Sequence, residues 1–191
     1  MAPEVQAIKA ELAASEARNR RQAARIARLE ADLQARAIPA MGDLLVAQGV
    51  RPDLGAAAGV ELLSDRVRIA TDPVFLPGSG ELSAAGRMRL TPVADALVAA
   101  VATLPADRGW RVRVSGHTDR RPIRTLEQFA TNWELSAARA TALVRLLTSR
   151  GLPAEQVEAV ARAATQQLDP GDTAAAHRRN RRVEISLQAN D

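Results

Sequence analysis

Residues 110–123 read WRVRVSGHTDRRPI, in which alternating apolar residues run into a glycine, a histidine, an acid and two arginines. The alternation predicts a β-strand over 110–116, with Val112 and Val114 facing a core, because successive side chains of a strand point to opposite faces. The same pattern recurs in RVRIA at 66–70 and in RVEISL at 182–187, again with arginine on the other face. These segments predict a sheet with one apolar and one solvated face.

Helical segments separate these strands along the chain. The first spans 83–104, with Ser83 as its N-cap, and the second spans 131–151 and is closed by Gly151. The stretch PAEQVEAVARAA at 153–164 fits either a short helix running into a strand or one continuous helix. The order β-α-β-α-β-β predicts an α+β fold, a two-layer domain with a mixed sheet and helices on one face.

A spacing of three and four residues runs through the N-terminal segment. The residues at this spacing are Val5, Ile8, Leu12, Ser15, Asn19, Gln22, Ile26, Leu29 and Leu33. This heptad seam predicts a coiled coil, and an asparagine such as Asn19 at an a position is typical of parallel dimers. We therefore predict a parallel homodimer through residues 5–33, with a single amphipathic helix packed on its own domain as the alternative.

Glycine and proline interrupt the helical pattern between residues 39 and 59. We divide the chain into a coiled-coil helix at 1–37, a linker with a short helical element at 38–64, and a domain at 65–191. The 191 residues include no cysteine, which excludes disulfides, thiolate zinc sites and cysteine nucleophiles. There is no apolar stretch of about 18 residues, and a net charge of +4 is a weak indication of a polyanionic partner.

An acid and a base are predicted to meet where the 110–116 strand ends and the next helix begins. Asp119 follows the strand, and steps of four, three and four place four helical residues on one stripe: Asn132, Ser136, Arg139 and Leu143. Asp119 and Arg139 across a small cleft suit a molecule with both an ammonium and a carboxylate, which an arginine binds in two parallel hydrogen bonds. The alternative is that the two side chains pair with each other or cap local backbone.

Three segments resemble the signature motifs of the OmpA-like C-terminal domain, in the form found in MotB-type cell-wall anchors: GHTDRRPI at 116–123, NWELSAARA at 132–140 and NRRVEI at 180–185. The resemblance covers residues 65–188 and implies non-covalent binding of peptidoglycan in the periplasm. It implies that Asp119 holds the ammonium of a diaminopimelate side chain and that Arg139 holds its carboxylate.

The same resemblance assigns further residues to this cleft: Thr118, Asn132, Leu135 and one of the two arginines Arg181 and Arg182. It implies no cofactor, no metal and no catalytic residue. Membrane-anchored relatives begin with a transmembrane helix or a signal peptide. We therefore expect a missing N-terminal segment that anchors the protein to the inner membrane and joins it to a membrane-protein complex, either motor-stator-like or envelope-spanning. We interpret His117 as a wall residue and Trp133 as a packing residue.

The sequence leaves two other functions open. The arginines of the open sheet face and of HRRNRR at 177–182 favour a dimeric nucleic-acid-binding protein, but the strands offer no aromatic side chain for base stacking beyond Trp110. An enzyme is the other alternative, with Asp119 and His117 as a base and its partner. Since no nucleophile elbow, metal-ligand cluster or second carboxylate accompanies them, we predict a binding protein rather than an enzyme.

Overall fold

The computed structural model describes residues 2–36, 40–50, 59–104, 109–123 and 128–189. The chain divides into two compact units, Met1–Ala37 and Ile38–Asp191. The first unit is formed by helix α1 (Ala2–Arg36), on which Ile26 and Leu29 are 56% and 52% exposed. Within the described parts of the chain, no helix combines the length and the apolar character needed to cross a bilayer.

The second unit is a mixed sheet with helices. Its elements are α2 (Met41–Ala47), β1 (Val60–Leu62), β2 (Arg66–Ala70), α3 (Ala84–Ala102), β3 (Trp110–His117), α4 (Asn132–Ser149), β4 (Val157–Ala163), α5 (Ala174–Asn180) and β5 (Arg182–Ala189). The strand order is β1-β2-β5-β3-β4. Strands β3 and β4 run parallel and the other neighbours run antiparallel.

The core lies between the apolar face of the sheet and the helices. Val67, Val112 and Val114 of the strands are fully buried, and they share one cluster with leucines of α3 and α4. Ser83 caps α3 by accepting from the backbone N–H of Gly86. The α+β fold with a mixed sheet is thus confirmed, and the ambiguous 153–164 stretch forms a 3₁₀ turn (Ala154–Gln156) followed by β4.

The sheet begins before residue 65, the start that we predicted for the domain. Both α2 and β1 lie in the segment interpreted as a linker, and Met41 and Leu45 of α2 are 1% and 0% exposed. Strand β1 pairs with β2. A helix or strand this short has little stability of its own, and tertiary packing determines that it forms. The sequence pattern of the segment is dominated by glycine and proline, which is why it was interpreted as a linker.

The second face of the sheet carries paired charges rather than free arginines. Arg66 contacts Glu184, Arg68 contacts Glu61, and Arg111 and Arg113 contact Glu158. The end of this face next to α5 is not solvated, because Arg182 and Glu184 are only 3% and 6% exposed. Strand alternation assigns a side chain to a face, but it does not reveal what covers that face.

Candidate functional site

The end of β3 and the start of α4 meet around a cavity of about 490 Å³. Six residues that the motifs assign to the cleft line it: Thr118, Asp119, Asn132, Leu135, Arg139 and Arg181. The end of β2 completes the wall, because β2 pairs with β5 and so brings its last residues next to Arg181. The cavity therefore lies where three strand ends and one helix start come together.

Helix α4 is held at this end of the sheet by a cap and by a close approach to β3. Thr131 and Glu134 form a capping box that begins the helix. Ser136 accepts a hydrogen bond from the backbone N–H of Ala163, at 3.1 Å. Gly116 leaves no room for a side chain, since an added Cβ would lie 2.1 Å from the carbonyl oxygen of Ser136. This contact fixes where Arg139, one turn further along α4, enters the cavity.

Arg139 is a buried cation that faces the cavity. Its Nε donates to the carbonyl oxygen of Ser79 at 3.1 Å, its Nη1 donates to Thr71 Oγ1 at 3.4 Å, and its guanidinium lies 5.4 Å from the ring centre of Phe75. Among the described residues no carboxylate lies within 4.0 Å of it. Burial lowers the pKa of Arg139 to about 10, although Asp72 opposes the shift, so the side chain is charged at neutral pH.

Asp119 is buried as well, and arginines surround it. Its Oδ1 accepts from the backbone N–H of Arg121 at 3.0 Å, and its Oδ2 accepts from Arg121 Nη2 at 2.9 Å and from Arg181 Nη1 at 2.6 Å. Burial alone would raise the pKa of Asp119, but the hydrogen bonds from both arginines outweigh it and hold the pKa below its usual range. Asp119 and Arg139 share the cavity without forming an ion pair with each other within 4.0 Å.

The two neighbouring arginines of the third motif point to different places. Arg181 bridges the carboxylates of Asp72 and Asp119 and lines the cavity. Arg182 begins β5 and points to the opposite face, where it donates to Glu184 at 2.6 Å and to the carbonyl oxygen of Gln166 at 3.1 Å. Arg181 therefore belongs to the cavity, and Arg182 belongs to the buried charges behind it.

The other motif residues shape the mouth and floor of the cavity. Asn132 donates from Nδ2 to the carbonyl oxygens of Asp119 and Arg121, at 3.3 and 3.1 Å, and so braces the loop after β3. Leu135 is 7% exposed and supplies an apolar wall. The Oγ1 atom of Thr118 is buried and has no hydrogen-bond partner among the described residues. An unpaired buried hydroxyl at such a wall is costly unless a ligand pairs with it.

The residues of the cavity that were not identified from the sequence include Asp72, Phe75 and Arg121. Asp72 and Phe75 follow β2, and their place next to Arg181 depends on the long-range pairing of β2 with β5. Arg121 had a local signal, since it stands two residues after Asp119 in the same motif.

His117 and Trp133 lie outside the cavity lining. His117 is 1% exposed on the opposite face of the sheet, and neither ring nitrogen has a hydrogen-bond partner among the described residues. Burial and the charge of Arg182 lower the pKa of His117 to about 4, against the opposing effect of Glu184. Trp133, interpreted as a packing residue, is 51% exposed and therefore does not serve the core.

Relatives with known names match both the domain and much of the whole chain. Motility protein B of Escherichia coli (strain K12) is 31% identical over 164 residues, which cover 84% of this chain and 47% of that protein. The uncharacterised protein YtxE of Bacillus subtilis (strain 168) is 40% identical over 87 residues, which cover 45% of this chain and 34% of that protein. The chain thus spans about half the length, or less, of these curated relatives.

Solved structures show the same fold. The cell wall anchor of the T6SS from Pseudomonas aeruginosa shares 30% identity and a TM-score of 0.59, covering 80% of this chain and 99% of its own. A putative MotB-like protein from Desulfovibrio vulgaris has a TM-score of 0.60 at 23% identity, covering 78% and 90%. The sequence pattern that describes the OmpA family matches residues 74–181, from the segment after β2 to the arginine that bridges Asp72 and Asp119. The chain belongs to the OmpA family.

Proposed function

We propose that the domain binds peptidoglycan non-covalently, with the diaminopimelate side chain of the stem peptide between Asp119 and Arg139. The observation that carries this proposal is the state of Arg139, a buried guanidinium that faces the cavity and has no carboxylate within 4.0 Å among the described residues. Removing a charge from water without a partner costs several kcal/mol. A carboxylate that enters the cavity offsets that cost, and the guanidinium fork suits it geometrically.

The ammonium end of the ligand is assigned to Asp119. Its Oδ1 accepts one hydrogen bond, from the Arg121 backbone, and so retains acceptor capacity toward the cavity. The Arg121 side chain on Oδ2 is 54% exposed, so an ammonium displaces it at low cost. Opposite charges at the two ends of one cavity select a zwitterionic group over a plain acid or a plain amine.

Relatives support a place in the bacterial envelope. One is described as a cell wall anchor of the T6SS, and another is a motility protein. We propose that this chain is likewise a periplasmic wall anchor rather than an enzyme. Its full-length form would be attached to the inner membrane, as part of a motor-stator-like or an envelope-spanning complex.

The test is retention of the protein on purified sacculi, together with calorimetric titration of a diaminopimelate-containing stem peptide. We expect Asp119→Ala combined with Arg139→Ala to abolish retention, and Arg139→Lys to bind weakly because lysine cannot form the two parallel bonds. Arg178→Ala, an exposed arginine outside the cavity, is the matched control. Thermal unfolding of every variant shows whether it is folded. Retention that is unchanged in the folded double variant would refute the assigned cleft.

Dimerisation through α1 is the second part of the proposal. Ile26 and Leu29 occupy seam positions and are more than half exposed within the single chain. A helix that leaves apolar seam residues such as these two in water gains stability by packing them against a second copy. Two wall-binding domains on one coil raise retention on sacculi through effective concentration, even when each domain binds weakly.

The nucleic-acid alternative loses its main support in the structure. All four arginines on the outer face of β2 and β3 lie within 4.0 Å of a carboxylate, as described above. Paired arginines attract phosphate much less than free ones, because the neighbouring carboxylate repels it. Tight, salt-sensitive binding of an oligonucleotide would nevertheless contradict the peptidoglycan assignment.

A further inference from the structure

A second groove lies on the other side of the loop that walls the first cavity. Residues 76–78 of this loop line the first cavity, and residues 79–82 line the second groove, which has a volume of about 780 Å³. We call it the side groove. It runs along α4, between the loop and the outer surface of the helix, and Phe129 stands among its lining residues.

The floor of the side groove is apolar and its rim is basic. Ala137, Ala138 and Ala142 of α4 form the floor, and the loop packs tightly on it. Arg87 of α3 and Arg145 of α4 are exposed, and no carboxylate lies within 4.0 Å of either among the described residues.

One acid, Glu81, also lines the side groove. Two arginines against one glutamate leave a net positive rim. This rim suits an extended chain that carries a single carboxylate at that point.

We propose that the side groove binds a second carboxylate of the same stem peptide whose diaminopimelate occupies the first cavity. This inference rests on the proposed function and extends it. The chemical group that fits is the free α-carboxylate of the γ-linked glutamate that precedes diaminopimelate in the stem. Recognition of peptidoglycan then uses three charges along one peptide rather than two on one side chain.

The distances allow one ligand to reach both places. Arg139 donates to the carbonyl oxygen of Ser79, and Ser79 lines the side groove, so the two sites share a wall one residue thick. Arg145 follows Arg139 by six positions on α4, which corresponds to about 9 Å along the helix axis. The glutamate is the residue next to diaminopimelate, so the diaminopimelate side chain, the γ-glutamyl link and the long arginine side chain together have to span this length.

The experiment compares two ligands that differ in one charge. Calorimetry measures binding of the tripeptide L-alanyl-γ-D-glutamyl-meso-diaminopimelate and of its analogue in which the glutamate α-carboxylate is an amide. We expect the native protein to bind the acid about three- to tenfold more tightly than the amide, the range of an exposed charge-assisted contact. Raising the salt concentration reduces this preference.

Substitution of the two rim arginines tests whether the preference for the acid over the amide arises in the side groove. We expect Arg87→Gln combined with Arg145→Gln to bind both peptides equally, with the affinity that the native protein shows for the amide. Arg89→Gln, an exposed arginine of the same helix that does not line the groove, keeps the native preference. Both substituted arginines are exposed, and a thermal unfolding curve verifies that the double variant is folded.

The outcomes distinguish a failure of the side-groove assignment from a failure of the proposed function. If the native protein binds both peptides equally well, or if the double variant keeps the preference, the side groove does not hold the carboxylate and the first cavity is unaffected. If neither peptide binds the native protein, the proposed function itself fails.

Discussion

Arg121 lies against Asp119, with its Nη2 2.9 Å and its Nε 3.2 Å from the Oδ2 atom. The same carboxylate is assigned to the ammonium of the ligand. Under the proposed function, the Arg121 guanidinium and the ammonium of the ligand compete for one acceptor. Because the Arg121 side chain is 54% exposed, its ion pair with Asp119 is worth at most about 1 kcal/mol.

Removing this competitor is expected to strengthen binding. We predict that Arg121→Gln binds the diaminopimelate-containing tripeptide about two- to fivefold more tightly, since up to about 1 kcal/mol of competing interaction is lost. Calorimetric titration measures the change. Arg120→Gln, the exposed neighbour that does not contact Asp119, is the matched control and should bind like the native protein. Weaker binding by Arg121→Gln would instead mean that Arg121 contacts the ligand.

We expect the close contact between β3 and α4 to leave no room for the methyl group of an alanine at position 116. Gly116→Ala places a Cβ about 2.1 Å from the Ser136 carbonyl oxygen, so the helix must shift. Overpacking of this kind costs about 1–3 kcal/mol in the free energy of unfolding. The shift also moves Arg139 relative to Asp119, so binding of the tripeptide weakens in the folded fraction. Chemical denaturation and calorimetry measure the two effects.

Gly171→Ala is the control for this substitution. The nearest atom to an added Cβ at Gly171 is the side-chain oxygen of Asp169 at 3.0 Å, which needs to move by only a few tenths of an ångström. We expect a change in the free energy of unfolding below about 0.5 kcal/mol. Equal stability of the Gly116 and Gly171 variants would show that the contact between β3 and α4 adjusts without cost.

Local patterns and the motif resemblance predicted most of the fold and six of the residues that line the cavity. Alternation located β2, β3 and β5, and the helix faces located Arg139, because both signals depend on neighbours in the chain. The contact between Asp72 and Arg181 joins residues 109 positions apart, and no local pattern reports it. Likewise, α2 and β1 are held by tertiary packing, and the burial of Arg182 depends on a loop that only the folded chain brings close. These are long-range effects, and a single sequence does not reveal them.

The buried imidazole of His117 is expected to make the domain sensitive to acid. Its pKa is lowered from 6.5 to about 4, chiefly by burial and then by Arg182. Below about pH 6.5 the unfolded chain takes up a proton that the folded domain excludes, so the stability contributed by the neutral imidazole is complete above that pH and is lost as the pH falls towards 4. The shift corresponds to on the order of 3 kcal/mol.

The free energy of unfolding, measured between pH 7 and pH 5, tests this expectation. We expect it to fall with pH in the native protein and to fall less steeply in His117→Gln, which has no proton to exclude. Burial would raise the pKa of Glu184, but its interactions with Arg182 and Arg66 overcome that effect and lower the pKa to about 2. Protonation of Glu184 in the unfolded chain therefore causes a separate loss of stability below about pH 4.5. Identical slopes for both proteins above pH 5 would show that His117 is not the responsible group.

The seam of α1 is expected to bring identical residues of two chains together. In a parallel, in-register coiled coil, each a position faces the same position of the partner helix. The chain contains no cysteine, so an introduced cysteine can form a disulfide only with the same cysteine of another copy. We predict that Ile26→Cys forms an interchain disulfide rapidly under mild oxidation, and that the product migrates as a dimer in non-reducing electrophoresis.

Ala24→Cys, on the outer side of the same helix and equally exposed to oxidant, is the matched control and should cross-link slowly. In an antiparallel pair, Ile26 faces a different residue of its partner and the two thiols lie too far apart for a disulfide. Sedimentation of the native chain gives the oligomeric state independently. A dimer that fails to cross-link at position 26 contradicts the parallel register, whereas a monomer contradicts the coiled coil and favours a helix that packs on its own chain.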